Sequence, residues 1–156
     1  MKKILTLMVS HVAVAVLGFG AGVYFLPILT APPAPDIAVV RDQATVAEFT
    51  GQFRRELADS DAVHWGDGTV FLSREAIVLD GRIAPGPDYK LYLSPVFVET
   101  EDDFLRLKRE MTLIGDVKTF ENFIVPLSSF VDLSRFNTVI VWCESFSQFI
   151  TAAQYR

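Results

Sequence analysis

Cys143 is the only cysteine in a chain of 156 residues, and it stands in the apolar stretch Val139-Ile-Val-Trp-Cys-Glu-Ser-Phe146. Three roles are open to such a thiol: inert packing, a ligand to a bound group, or a redox centre. Period-two alternation over residues 138–144 puts Val139, Val141 and Cys143 on one face of a strand and Ile140 and Trp142 on the other. Both faces are apolar, so a central strand covered on both sides is expected. Burial raises a thiol's pKa because desolvation disfavours the thiolate, and Glu144 adds negative charge beside it. Neither effect favours a free nucleophile. If Cys143 does more than pack, a ligand role suits it better, since bound iron or another cation would itself stabilise the thiolate.

The other candidates are fewer than the chain length suggests. His64 opens His64-Trp-Gly-Asp-Gly68 and reads either as a satisfied rim residue or as an axial ligand or proton donor near Cys143. Asp88, in Pro85-Gly-Pro-Asp88, suits an Asx-type turn closed on its own backbone. Glu99, Glu101, Asp102 and Asp103 lack the ligand spacing and central glycine of a calcium loop, and read as a solvated helix start. There is no G-x-S-x-G, H-E-x-x-H, C-x-x-C, C-x-x-C-H or P-loop pattern. Hydrolase and zinc chemistry are therefore set aside.

Positioning these groups falls to a strand-rich domain. Residues 49–55 read as a first strand, and Gly66-Asp-Gly68 as a tight turn leading into residues 69–73. The run 76–79 is stopped by Asp80-Gly81, and 89–93 follows the Pro85–Asp88 turn. Thr100 caps a short helix at 101–110, with Phe104, Leu107 and Met111 on its apolar stripe. Strands resume at 112–119, 122–127 and 138–144, and 148–155 reads as strand or short helix. The expected fold is mainly β: an antiparallel sandwich or barrel-like domain with one helical insertion. One thiol permits no internal disulfide, so the core alone holds the domain together, and thirteen Phe residues in the chain supply it.

Ahead of this domain, residues 4–29 carry no charge. At about 1.5 Å per residue they cover roughly 39 Å, enough to cross a hydrocarbon core of about 30 Å. That apolar run exceeds the roughly 7–15 residues of a cleavable signal peptide, and the prolines after it make a poor cleavage site. An uncleaved transmembrane signal anchor is expected, with residues 1–3 cytoplasmic and the domain outside, since Lys2 and Lys3 favour the cytoplasm. Residues 30–50 then form a spacer and linker, and 51–156 an extracytoplasmic, periplasmic domain on the inner membrane. Gly18 and Gly22 offer a close-approach step for a homodimer, and His11 lies at membrane depth. Without Lys2 and Lys3 the chain has 12 basic against 19 acidic residues and no basic–aromatic stripe, which excludes nucleic acid as a partner.

Taken in order, His64-x3-Gly68-Thr69, Gly86-Pro-Asp88, Leu91-Tyr-Leu-Ser94, Val139-Ile-Val-Trp-Cys143 and Phe146-x2-Phe149-x2-Ala152 resemble the DM13 family over about residues 51–155. The resemblance implies a small β-rich extracytoplasmic domain acting in electron transfer. It also implies that Cys143 serves as a bare thiol or as ligand to a prosthetic group such as haem. His64 and Asp88 fall on motif positions without a settled role. The anchor and the helical insertion depart from a simple unit of this kind. Two functions are expected: a membrane-tethered redox domain using Cys143, with His64 as a second cofactor contact, or a binding and scaffolding module for an envelope partner with Cys143 as core. Either is an electron-transfer or binding domain rather than a stand-alone enzyme.

Overall fold

The computed structural model describes residues 2–156. Lys2–Thr30 forms one helix, α1, with no buried residue, long and apolar enough to span a membrane. The prolines at 32, 33 and 35 keep residues 31–36 out of helix and strand. Asp36 then caps α2 (Ile37–Ala44), its carboxylate accepting the Ala38 N–H at 2.7 Å. Val40 of α2 is fully buried, so this part of the expected linker is docked on the domain.

Eight strands follow: β1 (Phe49–Phe53), β2 (Gly66–Leu72), β3 (Ala76–Ile83), β4 (Tyr89–Ser94), β5 (Thr112–Val117), β6 (Glu121–Pro126), β7 (Thr138–Cys143) and β8 (Gln148–Gln154). They build two antiparallel sheets of four, in the orders β1-β2-β3-β6 and β5-β4-β7-β8. β1 lies against β8 and β5 against β6, which closes the sandwich towards a barrel. The mainly β antiparallel fold is as expected, and residues 148–154 resolve to strand.

Side-chain alternation sorts the core into layers. Leu91, Leu93, Val139, Val141 and Cys143 face Val70, Leu72, Ile77 and Leu79 between the sheets. Tyr92, Ile140 and Trp142 point the other way, under the helical insertion, and Val78 points out under Val40 of α2. All six residues of β7 are buried, so it is the central strand that its two apolar faces predict.

Two turn signals are overturned. Gly66-Asp-Gly68 lies inside β2, and Asp80-Gly81 does not stop β3, which runs on to Ile83. Gly68 pairs with Gly81 across the ladder, and a Cβ at Gly68 would overlap the Asp80 carbonyl oxygen. The glycines serve close backbone approach rather than a turn. The first strand is also shorter than expected, ending at Phe53.

The insertion is α3 (Glu101–Leu107) continued by a 3-10 turn, Lys108–Glu110, within the expected bounds. Thr100 caps it, accepting the Asp103 N–H at 3.2 Å. Its far end is latched to β7: Lys108 Nζ donates to both Glu144 carboxylate oxygens at 2.8 and 2.7 Å, and the Tyr92 hydroxyl donates to the same carboxylate. Burial works to raise the Glu144 pKa, and the hydrogen bonds from Lys108 and Tyr92 outweigh it, leaving the carboxyl below its usual 4.5. A depressed carboxyl contributes stability above its unfolded pKa and loses it as pH falls through the folded value. Glu144→Gln should therefore destabilise the full chain by about 1 kcal/mol at pH 7, a figure reduced for solvent screening at the half-exposed lysine. Urea unfolding should show that deficit begin to shrink as pH falls below the ordinary glutamate value of 4.5 and vanish below the lower folded value. A pH-independent deficit would show that the latch is not electrostatic.

Candidate functional site

The end of the sandwich nearest α1 is made of loops. Here the strands that carry Cys143, Tyr89 and Gln148 stop in register, because Tyr89 pairs with Cys143 across β4–β7 and Cys143 with Gln148 across β7–β8. Between these strand ends, the Pro85–Pro87 loop and α1 lies an apolar cavity of about 500 Å³. Cys143 and His64 both line it, so the tertiary structure brings together the two residues that sequence reasoning singled out.

Cys143 is 2% exposed, and its Sγ donates to the Pro87 carbonyl at 3.0 Å. Burial pushes the thiol up. The Asp88 and Glu144 carboxylates add to that, against backbone N–H groups of Phe146 and Ser145. The sulfur is thus a protonated thiol at neutral pH, in the wall of the cavity.

His64 owes its pose to a residue the sequence reading passed over. Asp61 Oδ1 accepts the backbone N–H of Val63 and of His64, each at 2.7 Å, while Oδ2 faces His64 Nδ1 at 3.0 Å. Partial burial works to raise the Asp61 carboxyl, and these hydrogen bonds outweigh it, holding it below the usual carboxylate range. An Nδ1 proton shared with a carboxylate leaves the lone pair on Nε2, the arrangement in which histidine acts as base or ligand. The Asp61-x-x-His64 spacing was the signal that could have revealed it.

A model of the family described as Electron transfer DM13 matches residues 49–155. The chain belongs to the DM13 family. No curated protein and no solved structure matches it.

Within the DM13 domain, Asp88 does not close the Asx turn expected of it: its carboxylate goes to other side chains instead of its own backbone. With φ of 55° it turns the chain into β4, its Oδ1 pairs with Lys90 Nζ at 2.9 Å, and its Oδ2 accepts from Ser145 Oγ at 2.9 Å. Hydrogen bonds from Lys90 and Ser145 hold its carboxyl low. Asp88 thus ties the Gly86-Pro-Asp88 motif to the turn after Cys143, fixing the cavity's rim. The acidic residues at the start of α3 remain a helix start. Among the described residues no group of three or more His, Cys, Asp or Glu could hold a metal ion.

A haem brings its own equatorial nitrogens and needs only axial donors, but it also carries two carboxylates. No Lys or Arg lines the DM13 cavity. Lys90, beside Tyr89, is committed to Asp88 and to Asp116 at 2.8 Å. The Cys143 S–H is already engaged with the Pro87 carbonyl. These residues do not fit a haem.

Sequence reasoning also missed Tyr89. Its side chain is 3% exposed, lines the cavity and packs edge-on against Phe120 at 6.0 Å, yet its hydroxyl has no hydrogen-bond partner among the described residues. Only its place directly after the Gly86-Pro-Asp88 motif hinted at a role.

Proposed function

We propose that this DM13 chain is a membrane-anchored electron-transfer domain, held at the periplasmic face of the inner membrane by α1, whose redox group docks in the cavity shared by Cys143 and His64. One observation carries the reading: these two side chains, far apart in sequence, line one apolar cavity of about 500 Å³, within the size range of small-molecule sites. The family description supports electron transfer. Lys2 and Lys3 at the start of α1 support the orientation. In this arrangement Asp61 orients the His64 ring, and Nε2 is the atom that accepts a proton as the bound group changes charge. Cys143 closes the wall and braces the Pro85–Pro87 loop through its S–H.

A second reading, a binding module for an envelope protein, is favoured by Phe130, which is 96% exposed on the loop after β6. A fully solvated phenylalanine ring on a loop is free to serve as the aromatic anchor of a partner interface.

The full chain, purified with its native lipid, separates the two. The redox reading expects a reversible voltammetric wave, shifted more by His64→Ala than by Cys143→Ser. The larger effect belongs to His64 because its Nε2 is free, whereas serine at 143 keeps a donor for Pro87. A redox-silent chain, or a wave indifferent to both substitutions, would overturn the redox reading and leave the binding module.

A further inference from the structure

We propose that the cavity is a site for a neutral, lipid-soluble ring of the quinone class, reached from the bilayer, with the Tyr89 hydroxyl as hydrogen-bond donor to its carbonyl. The proposal rests on the electron-transfer reading and adds the ligand's chemistry.

Tyr89 is the first ground. Its ring is buried, and its hydroxyl opens into the cavity without a hydrogen-bond partner among the described residues, so a ligand acceptor in the cavity can meet it directly. The neighbouring loop is shaped to leave it room: a Cβ on Gly86 would overlap this hydroxyl. Burial pushes the Tyr89 pKa upward, with Cys143 and Tyr24 adding to it, so the group is a neutral donor at any physiological pH.

The second ground is the wall that α1 provides. Gly20, Val23 and Tyr24 line the cavity opposite the domain. With α1 seated as proposed and Lys2 and Lys3 at the cytoplasmic surface, a hydrocarbon core of about 30 Å takes up about 20 residues and ends near Val23. The cavity then lies at the outer hydrocarbon boundary. Val63 and Phe146, 47% and 48% exposed, line it there as well.

Charge is the third. No Asp, Glu, Lys or Arg lines the cavity. A phosphate, a phospholipid headgroup or a dicarboxylate ring would be buried without a countercharge, which is costly. A quinone is neutral, soluble in the bilayer and redox-active. Its carbonyls accept from Tyr89, and the hydroxyls of its reduced form donate to His64 Nε2. About 500 Å³ suits the ring and the start of a tail, with the remaining tail in lipid.

The test uses the full chain in nanodiscs of zwitterionic lipid, titrated with decylubiquinone and followed by tryptophan quenching. Saturable binding is expected, absent from empty nanodiscs. Tyr89→Phe should weaken it about tenfold while leaving the unfolding midpoint close to that of wild type, since the hydroxyl makes no hydrogen bond among the described residues. Val23→Phe, which fills the cavity from the anchor side without adding a tryptophan, should abolish it. Binding by Tyr89→Phe equal to wild type, or quenching no different from empty nanodiscs, overturns the proposal. Co-purification of a stoichiometric phospholipid displaced by cavity filling would overturn it too. A redox-active chain that does not bind the probe removes this proposal alone, whereas saturable binding by a chain without a voltammetric wave supports the site and removes the electron-transfer reading.

Discussion

Phe104→Ala should cost the domain about 3–5 kcal/mol, the range for truncating a fully buried phenylalanine. Phe104 is fully buried, stacks on Trp142 with ring centroids 3.9 Å apart and 11° between planes, and meets Tyr92 edge-on at 5.2 Å. It is also the only buried residue of α3. A helix of seven residues has no independent stability, because nucleation outweighs so few hydrogen bonds. Removing its only buried side chain leaves the Lys108–Glu144 latch to hold it, and should therefore loosen the insertion as well as leave a cavity. Urea unfolding of the full chain measures the loss, and hydrogen exchange should show α3 amides unprotected while β7 remains protected. Tryptophan emission should shift to the red as Trp142 becomes wet. A loss under about 1 kcal/mol would mean that the neighbours collapse into the gap, contrary to the close packing described.

Gly68→Ala is expected to be nearly as damaging, at about 3 kcal/mol or more, by a different mechanism. Gly68 holds φ at 135°, a conformation reserved for glycine, and faces Gly81 with the two backbones nearly in contact. An added Cβ meets the Asp80 carbonyl, a backbone atom that cannot swing aside as a side-chain tip would. The β2–β3 ladder must then open at the end that leads into the Pro85–Pro87 loop, so the cavity should suffer with it. Equilibrium unfolding and the cavity's ligand affinity should fall together. Thr69→Ala, one position along, serves as the control and should cost under about 1 kcal/mol. A Gly68→Ala chain as stable as wild type would show that the ladder is not constrained there.

The same glycines explain why part of the fold was misread. A missing Cβ permits both a tight turn and a close crossing of backbones, and only the partner strand distinguishes them. Gly66-Asp-Gly68 and Asp80-Gly81 each look like turns alone. They become strand only when Gly68 meets Gly81 across the ladder. By contrast, the Thr100 cap and the Phe104 stripe were readable, because a cap and a helical face are settled within a few residues.

The candidate site divides along the same line. Cys143 could be placed in the core from Val139-Ile-Val-Trp-Cys143 alone, since alternation along one strand decides which face a residue takes. Its raised pKa followed from the expected burial. Its bond to Pro87 did not, because Pro87 arrives from the loop before β4. Asp61 and Tyr89 drew no notice, because an aspartate in a turn and a tyrosine at a strand start are ordinary until their neighbours are known.

By itself, the sequence determined the long apolar N-terminal helix and the proline-rich break after it, the mainly β domain, the buried central strand and the family. Each is written in a local pattern: an uncharged run, a period of two residues, or a motif in order. Only the tertiary structure decided that His64, Tyr89, Cys143 and the end of α1 surround one cavity. Their meeting depends on how two sheets pair and close and on where the chain re-enters beside them, and contacts of that kind leave no period along the chain.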